Sequence, residues 1–99
     1  MQKSLTTSQL VQLLKRQSIQ LLDVREANEY TAGHIPRAIN LPLSTLGGSI
    51  SRLDKETPYH VVCQMGGRSA RACQFLEENG FDVTNVTGGT DAWTGPLEQ

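Results

Sequence analysis

The feature that most constrains the fold is an alternation between short segments typical of buried strands and segments with helical spacing. Strands are predicted at 19–24, 38–41, 59–63 and 81–86. Helices are predicted at 7–16, 27–31, 68–79 and, briefly, 90–93. Because each crossover must return the chain to the same end of a sheet, this order predicts an α/β fold. Its sheet should be mostly parallel and flanked by helices on both faces.

The ends of several predicted helices carry local signals. Thr6 followed by Gln9 fits a capping box at the start of the first helix. Gly33 and Gly80 stand where the helices predicted at 27–31 and 68–79 should end. In Leu43–Leu53, apolar residues recur near a helical period but two adjacent glycines interrupt them, so we expect broken or short helices there.

Composition limits the class of protein. Ninety-nine residues predict one domain over residues 1–99. Nine Lys and Arg against ten Asp and Glu, without a run of like charges, disfavour nucleic acid and anionic membranes as partners. The chain shows neither a signal peptide nor an apolar stretch long enough for a membrane span, which predicts a cytosolic protein. Two cysteines are too few for a disulfide scaffold, so their role becomes the central question.

The most informative segment lies where the 59–63 strand delivers Cys63 into a glycine-containing loop that opens a helix. Ligands of parallel α/β sheets bind at the carboxyl ends of strands. The N–H groups and dipole of a helix N-terminus stabilise a thiolate and lower its pKa. Gly66 and Gly67 can take positive φ and let several N–H groups converge on one anion, and Arg68 adds a permanent positive charge. This pattern predicts a nucleophilic Cys63.

Three segments together resemble the single-domain rhodaneses, a family of sulfurtransferases. The loop Cys-x-x-Gly-x-Arg-Ser, beginning at Cys63, is similar to the family's active-site loop. The segment from Asp23 to Pro42, with its Gly-His-Ile-Pro turn, resembles a first family signature. The Gly-Gly-x-x-Ala-Trp segment that ends at Trp93 resembles a second. Three matches in the family's order cover nearly the whole chain.

The resemblance implies a ping-pong reaction through a persulfide on Cys63, with no metal or organic cofactor. The Cys63 thiolate would attack the sulfane sulfur of a small donor such as thiosulfate or a persulfide. A thiol or cyanide would then accept the sulfur, and a protein persulfide is a further possible donor. The histidines and cysteines show no recognised metal-ligand spacing. The expected substrate- and persulfide-binding loop consists of Gln64, Met65, Gly66, Gly67, Arg68 and Ser69.

Other polar residues near the loop have plainer interpretations. Asp23 and Arg25 follow a strand end on the same side of the sheet as Cys63, and we expect a structural ion pair or loop cap there rather than substrate contact. For Arg71, a position on the solvated surface is expected at least as much as a contribution to anion binding. His34 should fix loop geometry, and His60 alternates away from Cys63 along its strand.

The second cysteine is predicted to be structural. Cys73 shares helical spacing with Ser69, Ala72 and Leu76, the pattern of a core-facing stripe. The alternative is a resolving or redox partner for Cys63. Trp93 is expected to anchor the closing helix in the core.

Several rival functions remain open on the sequence. Cysteine phosphatases and arsenate reductases have five residues between Cys and Arg in their loops, whereas Gln64–Gly67 is four. A thioredoxin-like reductase lacks its Cys-x-x-Cys motif here, and a P-loop lacks its Lys-Ser/Thr pair. A regulatory binding module or a sulfur carrier is the non-enzymatic alternative. Because Gln64 and Met65 are neutral where some family members place a cation, only modest activity with thiosulfate is expected.

Overall fold

The computed structural model describes residues 2–99, and Met1, which belongs to the predicted domain, lies outside the described residues. These residues form strands β1 (Lys3–Leu5), β2 (Gln20–Asp23), β3 (Ile39–Asn40), β4 (Tyr59–Val62) and β5 (Val83–Val86). The α-helices are α1 (Thr7–Leu14), α2 (Ala27–Ala32), α3 (Leu46–Ser49) and α4 (Gly67–Glu78). Single 3₁₀ turns occupy Leu43–Thr45, Ile50–Arg52 and Thr90–Ala92.

The sheet is parallel throughout and has the order β1-β5-β4-β2-β3. β4 lies at its centre and pairs with β2 on one side and β5 on the other, with Val62 opposite Asp23 and Val61 opposite Asn85. The carboxyl end of β4 therefore opens at the middle of one sheet edge, where ligands of parallel sheets bind. The predicted α/β class and parallel sheet are confirmed.

The edge strand β1 is the element that the sequence analysis missed. It spans three residues with one apolar side chain, so it carries no readable alternation. Its conformation comes from pairing with β5, in which Lys3 lies opposite Thr84 and Leu5 opposite Val86. Tertiary pairing rather than local propensity sets this strand.

Apolar side chains cover both faces of the sheet, as the alternation predicts. On one face, α3 and α4 contribute Leu46, Ala72 and Leu76 to a cluster with residues of β2, β4 and β5. On the other face, Leu10 of α1 belongs to a second cluster, and Tyr30 of α2 packs against it. Most residues of the inner strands β2, β4 and β5 are buried, as expected for strands covered on both faces.

The helix ends agree with their sequence signals. Gly33 caps α2, and Gly80 follows α4 at φ 89°, where the Phe81 N–H donates to the Leu76 carbonyl in a Schellman motif. The predicted broken helices of 43–53 appear as a single four-residue α-turn, α3, between two 3₁₀ turns. No helix within residues 2–99 has the length and apolar character needed to cross a membrane.

The capping box of α1 forms as predicted. Thr6 Oγ1 accepts from the Gln9 N–H at 3.1 Å, and Gln9 Oε1 accepts from the Thr6 N–H at 2.8 Å. Thr6→Ala removes the first bond and should lower the free energy of unfolding by about 0.5–2 kcal/mol. Urea denaturation checks this, with exposed Thr94→Ala as the control variant. Equal midpoints for the two variants would show that α1 does not depend on its cap.

Candidate active site

Cys63 leaves the sheet at the end of β4 and precedes α4 by one short loop. Gly66 is the N-cap residue of α4 and has φ 108°, a left-handed conformation that disfavours any side chain. The turn at Gly66 directs the first N–H groups of α4 back toward Cys63. Gly67 does not share this conformation, contrary to the expectation of two positive-φ glycines, because it already lies in the first turn of the helix.

The sulfur of Cys63 is held by the start of α4. Cys63 Sγ accepts from the Gly66 N–H at 3.1 Å and from the Ser69 N–H at 3.2 Å. Its thiol also lies 3.3 Å from Ser69 Oγ. Burial raises the pKa of Cys63, but the Ser69 hydroxyl and the N–H groups of Ser69, Gly66 and Met65 together outweigh it and bring the pKa below that of an ordinary thiol. The loop thus stabilises a thiolate.

Cys63 is nonetheless almost inaccessible, with 1% of its surface exposed, whereas Met65 at the tip of the loop is 73% exposed. The sulfur lies against the N–H groups at the start of α4, so the contacts that favour the thiolate also cover it.

Arg68 does not point freely into the loop. Its guanidinium makes two parallel bonds with Glu29, Nη1 to Oε1 at 2.6 Å and Nη2 to Oε2 at 2.9 Å. The bonds with Arg68 lower the pKa of Glu29 to about 2, and those with Glu29 raise the pKa of Arg68. Glu29 was missed as a site residue. The available signal was an acid in the first turn of a helix that starts at the same sheet edge as Cys63.

Asp23 and Arg25 form a buried ion pair beside the loop. Arg25 Nη2 lies 2.9 Å from Asp23 Oδ2, and Arg25 and Asp23 are 4% and 0% exposed. Arg25 also donates to the Gly33 carbonyl at 2.8 Å and, through Nη1, to Gln64 Oε1 at 3.1 Å. The pair thus contacts the loop through Gln64. Within residues 2–99, neither Asp23 nor Arg25 is hydrogen-bonded to Cys63 Sγ.

The second signature segment holds the backbone of the same loop. The Cys63 carbonyl accepts from the Thr90 N–H at 2.9 Å and from Thr90 Oγ1 at 3.1 Å. The Gln64 carbonyl accepts from the Asp91 N–H at 3.0 Å, and the Gln64 side chain donates to the Asp91 carboxylate. Thr90 was not singled out from the sequence, because a threonine after two glycines has no distinctive spacing.

Gly89 lets these two segments approach closely. A Cβ on Gly89 would lie 2.4 Å from the Gln64 carbonyl oxygen and 2.5 Å from that of Cys63, and its φ is +61°. Gly89→Ala should therefore lower the free energy of unfolding by more than about 2 kcal/mol. The control is Gly48→Ala in α3, where a Cβ meets nothing within 4 Å. It should raise stability by up to about 1 kcal/mol.

Thermal unfolding of both glycine variants checks this prediction. The result that contradicts it is a Gly89→Ala protein as stable as the wild type, which would mean that the loop carbonyls can move away without cost.

Asn85 also reaches the loop and was missed. It is 4% exposed on β5, and its Nδ2 lies 3.5 Å from the Gly66 carbonyl, which also accepts from Ser69 Oγ at 3.1 Å. Asn85 Oδ1 is buried and has no hydrogen-bond partner within residues 2–99. A polar residue among the apolar residues of an inner strand was the available signal.

The remaining candidates lie apart from the sulfur's hydrogen bonds. Cys73 is 0% exposed in the apolar cluster that also contains Cys63, and burial raises its pKa to about 12. His34 Nδ1 lies 2.8 Å from the Tyr30 carbonyl, and the two rings stack. Burial lowers the pKa of His60. Arg71 is exposed on α4, and Trp93 packs against the apolar cluster on the α1 face of the sheet.

No group of three or more His, Cys, Asp or Glu side chains suited to a metal ion occurs in the part of the chain that the structure describes. The chemistry that the geometry does support is nucleophilic, because Cys63 combines a lowered pKa with N–H donors aimed at its sulfur.

The Ser69 hydroxyl offers a direct test of the thiolate. Ser69→Ala removes the side-chain bond to Sγ but keeps the Ser69 N–H, so the pKa of Cys63 should rise and its alkylation at pH 7 should slow several-fold. The rate of iodoacetamide labelling against pH, assigned by peptide mass spectrometry, measures the shift. Exposed Ser51→Ala is the control. An unchanged midpoint in Ser69→Ala would mean that the hydroxyl does not bond the thiolate.

Comparison with known proteins adds independent findings. A family model for the rhodanese-like domain matches residues 6–96. The chain is 41% identical over 92 residues to the thiosulfate sulfurtransferase GlpE of Shewanella oneidensis, covering 92% of this chain and 91% of that protein. It is 35% identical over 94 residues to the putative sulfurtransferase YtwF of Bacillus subtilis, covering 94% and 91%. A crystal structure of a rhodanese-like domain protein from Staphylococcus aureus matches with a TM-score of 0.90 and 40% identity, covering 97% and 96%.

Proposed function

The chain belongs to the rhodanese-like domain family, and we propose that it is a sulfurtransferase that carries sulfane sulfur from a donor to a thiophilic acceptor as a persulfide on Cys63. The observation that carries the proposal is the pair of N–H bonds from Gly66 and Ser69 to Cys63 Sγ. The relative named as a thiosulfate sulfurtransferase supports the same reaction class.

The first half-reaction is a displacement at sulfur. The Cys63 thiolate attacks the outer sulfur of thiosulfate, a new S–S bond forms, and the old S–S bond breaks with its electron pair on the departing sulfite. Three negative charges are present before and after, one on Cys63 and two on thiosulfate, then one on the persulfide and two on sulfite. With an organic hydropersulfide as donor, the leaving group is the corresponding thiolate.

The second half-reaction restores Cys63. Cyanide or a thiolate attacks the terminal sulfur of the persulfide, and the Cys63 thiolate leaves with the electron pair of the S–S bond. The Gly66 and Ser69 N–H groups that hold the resting sulfur also stabilise Cys63 Sγ as a leaving group. The same donors thus act in both half-reactions, and the chain's own residues suffice without a cofactor.

We assign the loop residues to binding of the transferred sulfur, with Asp23 and Arg25 supporting the loop through Gln64. Because Cys63 is buried, sulfur transfer includes a loop movement that admits the donor. This binding loop comprises Gln64, Met65, Gly66, Gly67, Arg68 and Ser69.

A sulfur carrier that accepts from a protein persulfide is the second candidate. The observation that favours it is the Arg68–Glu29 pair, because it removes much of the positive charge that would attract a small dianion. A phosphatase is less suitable, since the four-residue spacing between Cys63 and Arg68 leaves little room for a tetrahedral phosphate and the loop N–H groups already hold sulfur.

Intact-protein mass spectrometry after treatment with thiosulfate, and separately with glutathione persulfide, tests the proposal. The wild type should gain one sulfur atom, and cyanide should remove it. Cys63→Ser should gain none, whereas Cys73→Ser should behave as the wild type because Cys73 is buried with a pKa of about 12. Absence of any adduct from either donor would overturn the proposal, and loss of transfer in a folded Cys73→Ser protein would make Cys73 a participant.

A further inference from the structure

We propose that Glu29 is a specificity-determining residue: by pairing with Arg68 it directs the site toward donors of low charge, such as organic hydropersulfides, and away from the thiosulfate dianion. This inference rests on the proposed sulfurtransferase function and concerns the same site. It is carried by the arrangement of charged side chains around the loop.

Glu29 is held in place before any donor arrives. Its Oε1 accepts from the Glu26 N–H at 3.0 Å, in the capping box that starts α2. From there both carboxylate oxygens face the Arg68 guanidinium at 2.6 and 2.9 Å. Such a parallel, charge-assisted pair has a fixed geometry, so Arg68 does not turn to a new anion without giving up Glu29.

The other charged groups around the loop do not replace the cancelled charge. Arg25, which contacts Gln64, is itself paired with buried Asp23. The carboxylate of Asp91 accepts from Gln64 on the opposite side. Glu26, next to the Arg25–Asp23 pair in sequence, carries a further negative charge and accepts from Ser44 Oγ at 2.6 Å. The loop attracts anions mainly through backbone N–H groups and the helix N-terminus.

Charge accounting separates the two donor classes. Attack of the Cys63 thiolate on thiosulfate brings three negative charges together in the transition state. Attack on a neutral hydropersulfide, R–S–SH, involves one, since the thiolate is consumed, R–S⁻ departs and the terminal S–H moves to Cys63. A carboxylate beside the loop therefore penalises thiosulfate far more than a hydropersulfide.

The test compares kcat/KM for thiosulfate and for the hydropersulfide of 2-mercaptoethanol, whose organic group carries no charge, with cyanide as acceptor, in the wild type and Glu29→Gln. Glutamine is isosteric and keeps an oxygen for the Glu26 N–H, so the start of α2 is preserved. We expect Glu29→Gln to raise kcat/KM for thiosulfate about tenfold and to leave that for the persulfide within about twofold. The thiosulfate gain should shrink as salt is added.

Two control variants separate charge from structure. Glu29→Asp keeps the carboxylate and should keep the wild-type ratio of the two kcat/KM values. Glu56→Gln makes the same change in net charge in the exposed turn before β4, at the opposite end of the sheet from Cys63, and should leave both values unchanged.

The contradicting outcomes are distinct. An equal rise in kcat/KM for both donors in Glu29→Gln would mean that Glu29 restricts the movement of the loop. A fall in kcat/KM for both donors would mean that Glu29 positions Arg68 for binding. Either result, or no change, overturns the inference while leaving the proposed function intact, provided that Cys63 gains sulfur in the wild type. If neither donor loads Cys63, the proposed function fails and the inference fails with it.

Discussion

The conformation of the loop around Cys63 depends on hydrogen bonds to Cys63 from two separate segments of the chain. Thr90 donates to the Cys63 carbonyl from the segment after β5, and the first N–H groups of α4 donate to Cys63 Sγ. The first contact requires the close approach that Gly89 allows, and the second requires the left-handed turn at Gly66. Two distant parts of the chain thus converge on one residue, because β4 lies between β2 and β5 in the sheet.

The charges follow a similar logic of local pairing. Arg25 and Arg68 are both bound to carboxylates, Asp23 and Glu29, that lie at the end of β2 and in the helix after it. Each of the two arginines at the site is therefore neutralised by one carboxylate, and the site, like the whole chain, has nearly balanced charges. Cys63 Sγ is stabilised by oriented backbone N–H groups. These groups act on an atom in direct contact and exert little force on distant anions. This arrangement favours recognition at short range over long-range capture of dianions.

The sequence was sufficient for features that are local or periodic. A few neighbouring residues are enough to predict the strands and helices, the capping box at Thr6 and the end of α4 at its glycine. The cysteine at the end of β4 could be located for the same reason. What the sequence left out depends on tertiary pairing: β1 is a strand only because β5 is beside it, and Glu29 lies at the candidate site only because it pairs with Arg68 of the loop. Sequence separations of 81 and 39 positions leave no periodic signal for either contact.

The two cysteines show which physical variable lowers the pKa of one buried thiol and not of the other. Cys63 and Cys73 are both almost fully buried and belong to the same apolar cluster, so burial raises the pKa of each. Only for Cys63 do N–H and hydroxyl donors outweigh that effect, whereas the additional influence on Cys73 is the negative charge of Glu77 and of Cys63 itself. Cys73 faces the core from the middle of α4, where the helix's own N–H groups are already bonded. The unpaired N–H groups of a helix exist only at its start, and the turn at Gly66 places Cys63 there.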